Sequence, residues 1–193
     1  MKIAPIGYKE NNQSIITDPK VIIDFLSGKG TDHKGRTIFD MLDYDDVVME
    51  QCHDSIQFLF MLHEESNFAR TYPVITPEIV KEANKDPFVK KHLIWAANRM
   101  KKFYGFDNDN FDVNRFYSWL GERNHNLLRI TRIIRSLRLF GLEEEAREFY
   151  NKASEAYDFI DHNNEDPSFV IDEDAPFYWE KAMKDGMWES LRY

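Results

Sequence analysis

Two short stretches of this sequence carry a pattern that can hold a metal. Glu50-Gln51-Cys52-His53 and Glu122-Arg123-Asn124-His125 are both Glu-x-x-His, which on a helix sets a carboxylate and an imidazole one turn apart on the same face. Two such pairs, joined by two more glutamates from other helices, build the di-iron and di-manganese carboxylate centres of helical bundles. Glu78, Glu82, Glu148 and Glu155 are available as the extra ligands. Glu50, His53, Glu122 and His125 are therefore candidate metal ligands of a metal-dependent enzyme. That reading needs both motifs to be helical, and Gly121 weakens the helix in front of the second.

The second motif runs into a different pattern. His125, Arg129, Arg132 and Ser136 fall at i, i+4, i+7 and i+11, a polar seam on which an imidazole and two guanidiniums can grip a carboxylate or phosphate. The same arginines can instead pair with carboxylates of this acidic chain, as buried arginine must, and that structural network is the favoured reading. Cys52 next to His53 is not a nucleophile and base on a helix, because adjacent residues point about 100° apart; it reads as a buried structural thiol. Being the one cysteine, it can form no internal disulfide, which suits a reducing compartment. His63-Glu64-Glu65-Ser66-Asn67 lacks the second histidine of a zinc-protease helix, and no Gly-x-Ser-x-Gly elbow is present.

These groups must be positioned by helices. Thr17-Asp18-Pro19, Thr76-Pro77-Glu78 and Asp86-Pro87 each put a capping side chain before a proline at the first helical position. The first helix ends at Gly28-Lys29-Gly30, whose glycines form a turn and not a phosphate loop. Thr37 to Leu62 is dense in apolar residues, with helix starts at Asp43, Asp45 and Asp46. Val89, Leu93, Ala96, Ala97, Met100, Phe103 and Tyr104 recur at spacings of three and four, closed by Gly105. Residues 106–114 read as a loop. Leu127, Ile130, Ile133, Ile134, Leu137 and Phe140 make one wide apolar stripe, Gly141 stops that helix, and another runs from Leu142 to about Ile160. Strand signals are nearly absent. The expectation is an all-α chain, a single compact irregular bundle of about six to eight helices. Residues 1–16 would be loosely held, 17–160 would form the domain, and the acidic, aromatic tail 161–193 would dock back on it.

Charge limits the partners. With 25 Lys and Arg against 34 Asp and Glu, the chain carries a formal charge of −9, which opposes binding along a nucleic-acid backbone. The opening residues are polar too soon for a signal peptide and no apolar run is long enough to span a membrane, so a cytoplasmic protein is expected. Hydrophobic residues at 42% and aromatics at 15% predict a packed core. Phe111, Phe116, Tyr117 and Trp119, beside the 106–114 loop, either fill that core or receive a partner in an interaction module.

The stretch from His125 through Arg129, Arg132 and Arg135 to Leu137 closely resembles the signature of the opioid growth factor receptor conserved domain. Tyr44-Asp45-Asp46, His53-Asp54-Ser55-Ile56-Gln57-Phe58-Leu59-Phe60, Leu93 to Gly105, and Leu139-Phe140-Gly141-Leu142-Glu143 are similar to the same family, so the likeness covers about residues 20 to 160. Ser55, Phe58 and Met61 stand where the family usually has Tyr, Trp and Pro. The resemblance implies a helical domain, found in bacterial proteins and in animal receptors that bind the pentapeptide Met-enkephalin, and it brings no catalytic residues. The animal receptors carry long extensions for which 193 residues leave no room, which points to a short, bacterial-type member. The chain is thus expected to be a non-enzymatic binding or regulatory protein without a cofactor, whose partner is a peptide, a protein or a small anion. Its candidate ligand-binding residues are His53, Gln57, His125, Asn126, Arg129 and Arg132, polar groups inside otherwise apolar text.

Overall fold

The computed structural model describes residues 14–66, 71–106 and 112–189. The described residues are mostly helical, with one two-stranded sheet of three residues per strand among them. Along the chain come β1 (Ser14–Ile16), α1 (Pro19–Leu26), α2 (Ile38–Leu42), α3 (Asp46–Gln51), α4 (Ser55–Leu59), β2 (Thr71–Pro73) and α5 (Pro77–Ala83). After them come α6 (Pro87–Tyr104), α7 (Val113–Trp119), α8 (His125–Leu139), α9 (Glu143–Asn163) and α10 (Ala175–Lys184). Among the described residues no helix is long and apolar enough to cross a membrane.

Local chemistry sets the helix starts. The side chains of Asp18, Thr76 and Asp86 accept hydrogen bonds from the main-chain N–H groups of Lys20, Ile79 and Phe88, each in front of a proline. Thr37 and Asp40 form a reciprocal capping box at α2, and Asp45 caps α3 through the Val48 N–H. These caps start α2 and α3, and the non-helical backbone at Cys52 separates α4, so the apolar run from Thr37 to Leu62 becomes three helices of five or six residues and the count among the described residues reaches ten. At the end of α6, Gly105 takes φ 79°, a left-handed stop that a side chain would resist.

The strands carry no signal in the sequence pattern. Ser14, Ile15 and Ile16 pair in parallel with Thr71, Tyr72 and Pro73, so the last residues of the stretch expected to be loose are fixed across more than fifty residues of chain. Residues 1–13 lie outside the described residues.

One hydrophobic cluster runs from Ile22 to Ala182. At its centre α8 packs on α9 and α10. All six apolar positions of the α8 stripe are buried, and at about 1.5–3 kcal/mol for each large aliphatic side chain this stripe is the strongest single reason the helices assemble. The opposite side is covered too: α10 seats Trp179, fully buried, with its Nε1 donating 3.1 Å to the Leu127 carbonyl. Beyond Trp179, Arg138 donates to the carbonyls of Ala182 (2.6 Å) and Asp185 (3.0 Å), and Arg135 donates to that of Glu189.

Candidate functional site

α3 ends at Gln51, Cys52 breaks the helical geometry, and the chain turns through His53 and Asp54 into α4. Against this corner comes the first turn of α8, started by Asn124, whose side chain accepts from the Asn126 N–H. The junction brings His53 and His125 together, ring centroids 5.0 Å apart at 62°. Glu50 reaches across from α3. Its Oε1 lies 3.1 Å from His125 Nε2, an ion-pair distance but off the angle of a hydrogen bond.

Beneath this rim lies Arg129, only 6% exposed. Its Nη1 donates to Glu50 Oε2 (3.3 Å) and Asn126 Oδ1 (3.1 Å), and its Nη2 donates to the Glu50 carbonyl (3.2 Å) and lies 3.5 Å from His53 Nδ1. Asn126 returns a bond from Nδ2 to Glu50 Oε2 at 3.1 Å. Deeper still, the Tyr104 hydroxyl donates to Asn126 Oδ1 (3.3 Å), and burial pushes that phenol well above its usual range. Burial also lowers the His125 imidazole, with Arg129 and His53 adding to the effect and Glu50 opposing it. The result is a polar notch: Glu50, His53 and His125 face solvent while Arg129 and Asn126 hold them from behind.

Four of the six candidate residues, His53, His125, Asn126 and Arg129, thus form one network with Glu50. Gln57, on α4, and Arg132, on α8, lie outside that network. Gln57 is buried with its Oε1 unbonded, and Arg132 donates to the Phe60 carbonyl (3.0 Å). The seam from His125 to Ser136 does not stay on the surface, since Ser136 is fully buried. Arg129 and Arg138 pair with Glu50 and Glu143, whereas Arg132 and Arg135 hold main-chain carbonyls. Sequence reading places Glu50 only in the metal motif and misses its pairing with Arg129; Glu-x-x-His at the end of a helix is the available signal.

Neither Glu-x-x-His lies on one continuous helix. His53 follows the end of α3, and Glu122 precedes α8, exposed, with Oε1 3.4 Å from Arg123 Nε and its N–H bonded to Val170 in the loop before α10. Among the described residues no group of three or more His, Cys, Asp or Glu side chains is disposed to hold a metal ion. In place of a second carboxylate, Glu50 meets the Arg129 guanidinium.

Next to the notch, Cys52 is half-buried and not the buried thiol expected. Arg36 Nη1 lies 3.0 Å from its sulfur, and the thiol donates to Asp54 Oδ1 at 3.3 Å. Burial works to raise the Asp54 carboxyl, but hydrogen bonds from Lys34, Arg36 and Cys52 overcome it and hold the group well below the carboxylate range. Phe116 and Trp119 are buried and fill core, while Tyr117 is exposed and meets Phe169 edge-to-face at 4.9 Å and 73°; Phe111 lies outside the described residues.

Residues 35–153, more than half of the chain, match the conserved region of the opioid growth factor receptor, OGFr. The rat opioid growth factor receptor is 35% identical over 107 residues, 50% of this chain and 18% of its own length. The opioid growth factor receptor-like protein 1 of Xenopus tropicalis is 35% identical over 104 residues, 49% of this chain and 20% of its own. The mouse receptor is 32% identical over 106 residues, 50% and 16%. The matched stretch thus spans a fifth or less of these curated relatives, which are rodent and frog proteins and lend no support to a bacterial-type member. No solved structure matches the chain.

Proposed function

The chain belongs to the opioid growth factor receptor conserved-region family, and from that premise we propose that it is a non-enzymatic recognition domain whose ligand enters the notch between the α3–α4 corner and the start of α8. The observation that carries this reading is the convergence of Glu50, His53 and His125 at a solvent-facing rim over a buried Arg129. The arginine is answered by Glu50, so at neutral pH the notch has no positive charge to spare for a small anion. It offers instead a charge-balanced carboxylate, 40% exposed, and the exposed His53 ring. That set suits a short peptide held by hydrogen bonds, its N–H groups on the exposed edge of Glu50 and a carbonyl on the His53 ring. The names of the relatives, opioid growth factor receptors, point the same way. Against catalysis stand the non-helical Glu-x-x-His motifs and the engagement of Glu50 by Arg129.

The test is titration of Met-enkephalin and, separately, inorganic phosphate into the isotope-labelled protein at neutral pH, followed by amide and imidazole NMR shifts. Peptide-induced shifts confined to Glu50, His53 and His125, and lost in His53→Ala/His125→Ala, are expected. Shifts with phosphate alone would replace the peptide by an anion. Silence of the notch toward both would end the proposal.

A further inference from the structure

α6 buries Val89, Leu93, Ala96, Ala97, Met100 and Tyr104 against the core. Its other side shows solvent Phe88, Lys91, Trp95, Asn98 and Lys102, a stripe at helical spacing in which every residue is exposed. Phe88 is 49% exposed and Trp95 43%, and Phe39 of α2, 44% exposed, adjoins them through His92. The His92 ring is buried, with Nδ1 2.9 Å from the Leu26 carbonyl, and its centroid lies 5.0 Å from Phe39, 6.0 Å from Phe88 and 5.3 Å from Trp95. A histidine tied to the main chain therefore fixes three exposed rings as one platform. Contiguous aromatic surface of this kind is uncommon on a charged monomer and marks binding surfaces.

The charges on the stripe say what it takes. On a chain of net charge −9, cations readily find carboxylates, as Lys29 does with Asp86 and Lys101 with Glu148. Lys91 and Lys102 have no carboxylate partner among the described residues; Lys91 rests its Nζ 4.8 Å over the Trp95 ring and 5.9 Å over Phe88. Two cations without a carboxylate among the described residues thus lie on the stripe, Lys91 over the rings and Lys102 about 16 Å farther along at the α-helical rise. We infer that this stripe is a docking surface for an acidic amphipathic helix of a partner protein, its apolar residues on Phe39, Phe88 and Trp95 and its carboxylates on Lys91 and Lys102. The residues are distinct from those of the notch, so either site can fail without the other. Such a contact is small, and its Kd is expected on the order of 10 μM.

The probe is a fluorescein-labelled synthetic helix of about fifteen residues, with a leucine stripe and glutamates about three turns apart, read by fluorescence anisotropy with the full chain at low salt. Binding should weaken about tenfold or more for Trp95→Ala, for Lys91→Glu/Lys102→Glu, and for a probe with lysines in place of glutamates. The lysine probe should regain affinity for the Lys91→Glu/Lys102→Glu variant, which a folding defect cannot produce; unchanged circular dichroism is expected because all three side chains are exposed. Equal binding of both probes, or none of the glutamate probe at about 1 mM, overturns the inference. So does a dimer in sedimentation that Trp95→Ala abolishes, since the face then belongs to a second copy.

Discussion

Removing one partner of the Glu50–Arg129 pair should cost more than the pair is worth. In Glu50→Ala the guanidinium, 6% exposed, loses its carboxylate and keeps Asn126 Oδ1 and the main-chain carbonyl of position 50. In Arg129→Ala the orphan is Glu50, whose side chain is 40% exposed and can be rehydrated. Breaking a fully buried pair costs about 3–5 kcal/mol. With one end half in water, about 2–3 kcal/mol is expected for Glu50→Ala and about 2 kcal/mol for Arg129→Ala, the latter mostly lost charge-assisted hydrogen bonds at about 1.5–3 kcal/mol each, offset by rehydration. The double variant leaves no stranded charge and should cost only about 3 kcal/mol, so the coupling is about 1–2 kcal/mol. Urea denaturation at pH 7.5, followed by tryptophan fluorescence with all four proteins, measures it. Costs that add to within about 0.5 kcal/mol would refute the pairing and with it the account of what holds the notch.

Two more outcomes rest on the same structure. His125 titrates below the ordinary histidine value of 6.5 in the fold, so the unfolded chain binds its proton first; the stability tied to the neutral ring is full above about pH 6.5 and declines as pH falls through the folded value. His125→Gln should flatten that decline, visible in melting temperatures from pH 7.5 to 5, and an unchanged slope counts against the burial and Arg129 effects. Trp179→Ala should destabilise by about 3–5 kcal/mol, read by urea unfolding; a cost under about 1 kcal/mol means that α10 is not seated on α8 as described.

The parts of the fold written in local chemistry are readable. Asp18-Pro19, Thr76-Pro77 and Asp86-Pro87 start helices as expected, Gly105 and Gly141 take positive φ at the stops, and the α8 stripe is buried at every position. What escapes depends on partners far along the chain. β1 is three residues with no alternation to detect, fixed only by pairing with Thr71–Pro73. Glu50 and Arg129 are 79 residues apart, and no periodicity links them. The caps at Asp45 and Thr37 are visible as residue types, yet the continuous apolar text hides how often the chain breaks between them. Phe88 and Trp95 lie off the α6 stripe that the spacing picks out, and local sequence alone does not say that these large rings stay exposed rather than being covered by another element.

The arginines of α8 also bear on the order in which the protein is made. Arg135 finds its main-chain acceptor at Glu189, 54 residues later, and Arg138 finds its own at Ala182 and Asp185. At about 5–20 residues per second of synthesis, the central helix waits roughly 3–11 s with these cations and the Trp179 seat uncovered. During that interval the nascent chain displays its most heavily buried helix half-covered, so this stretch is where a chaperone is expected to act during translation.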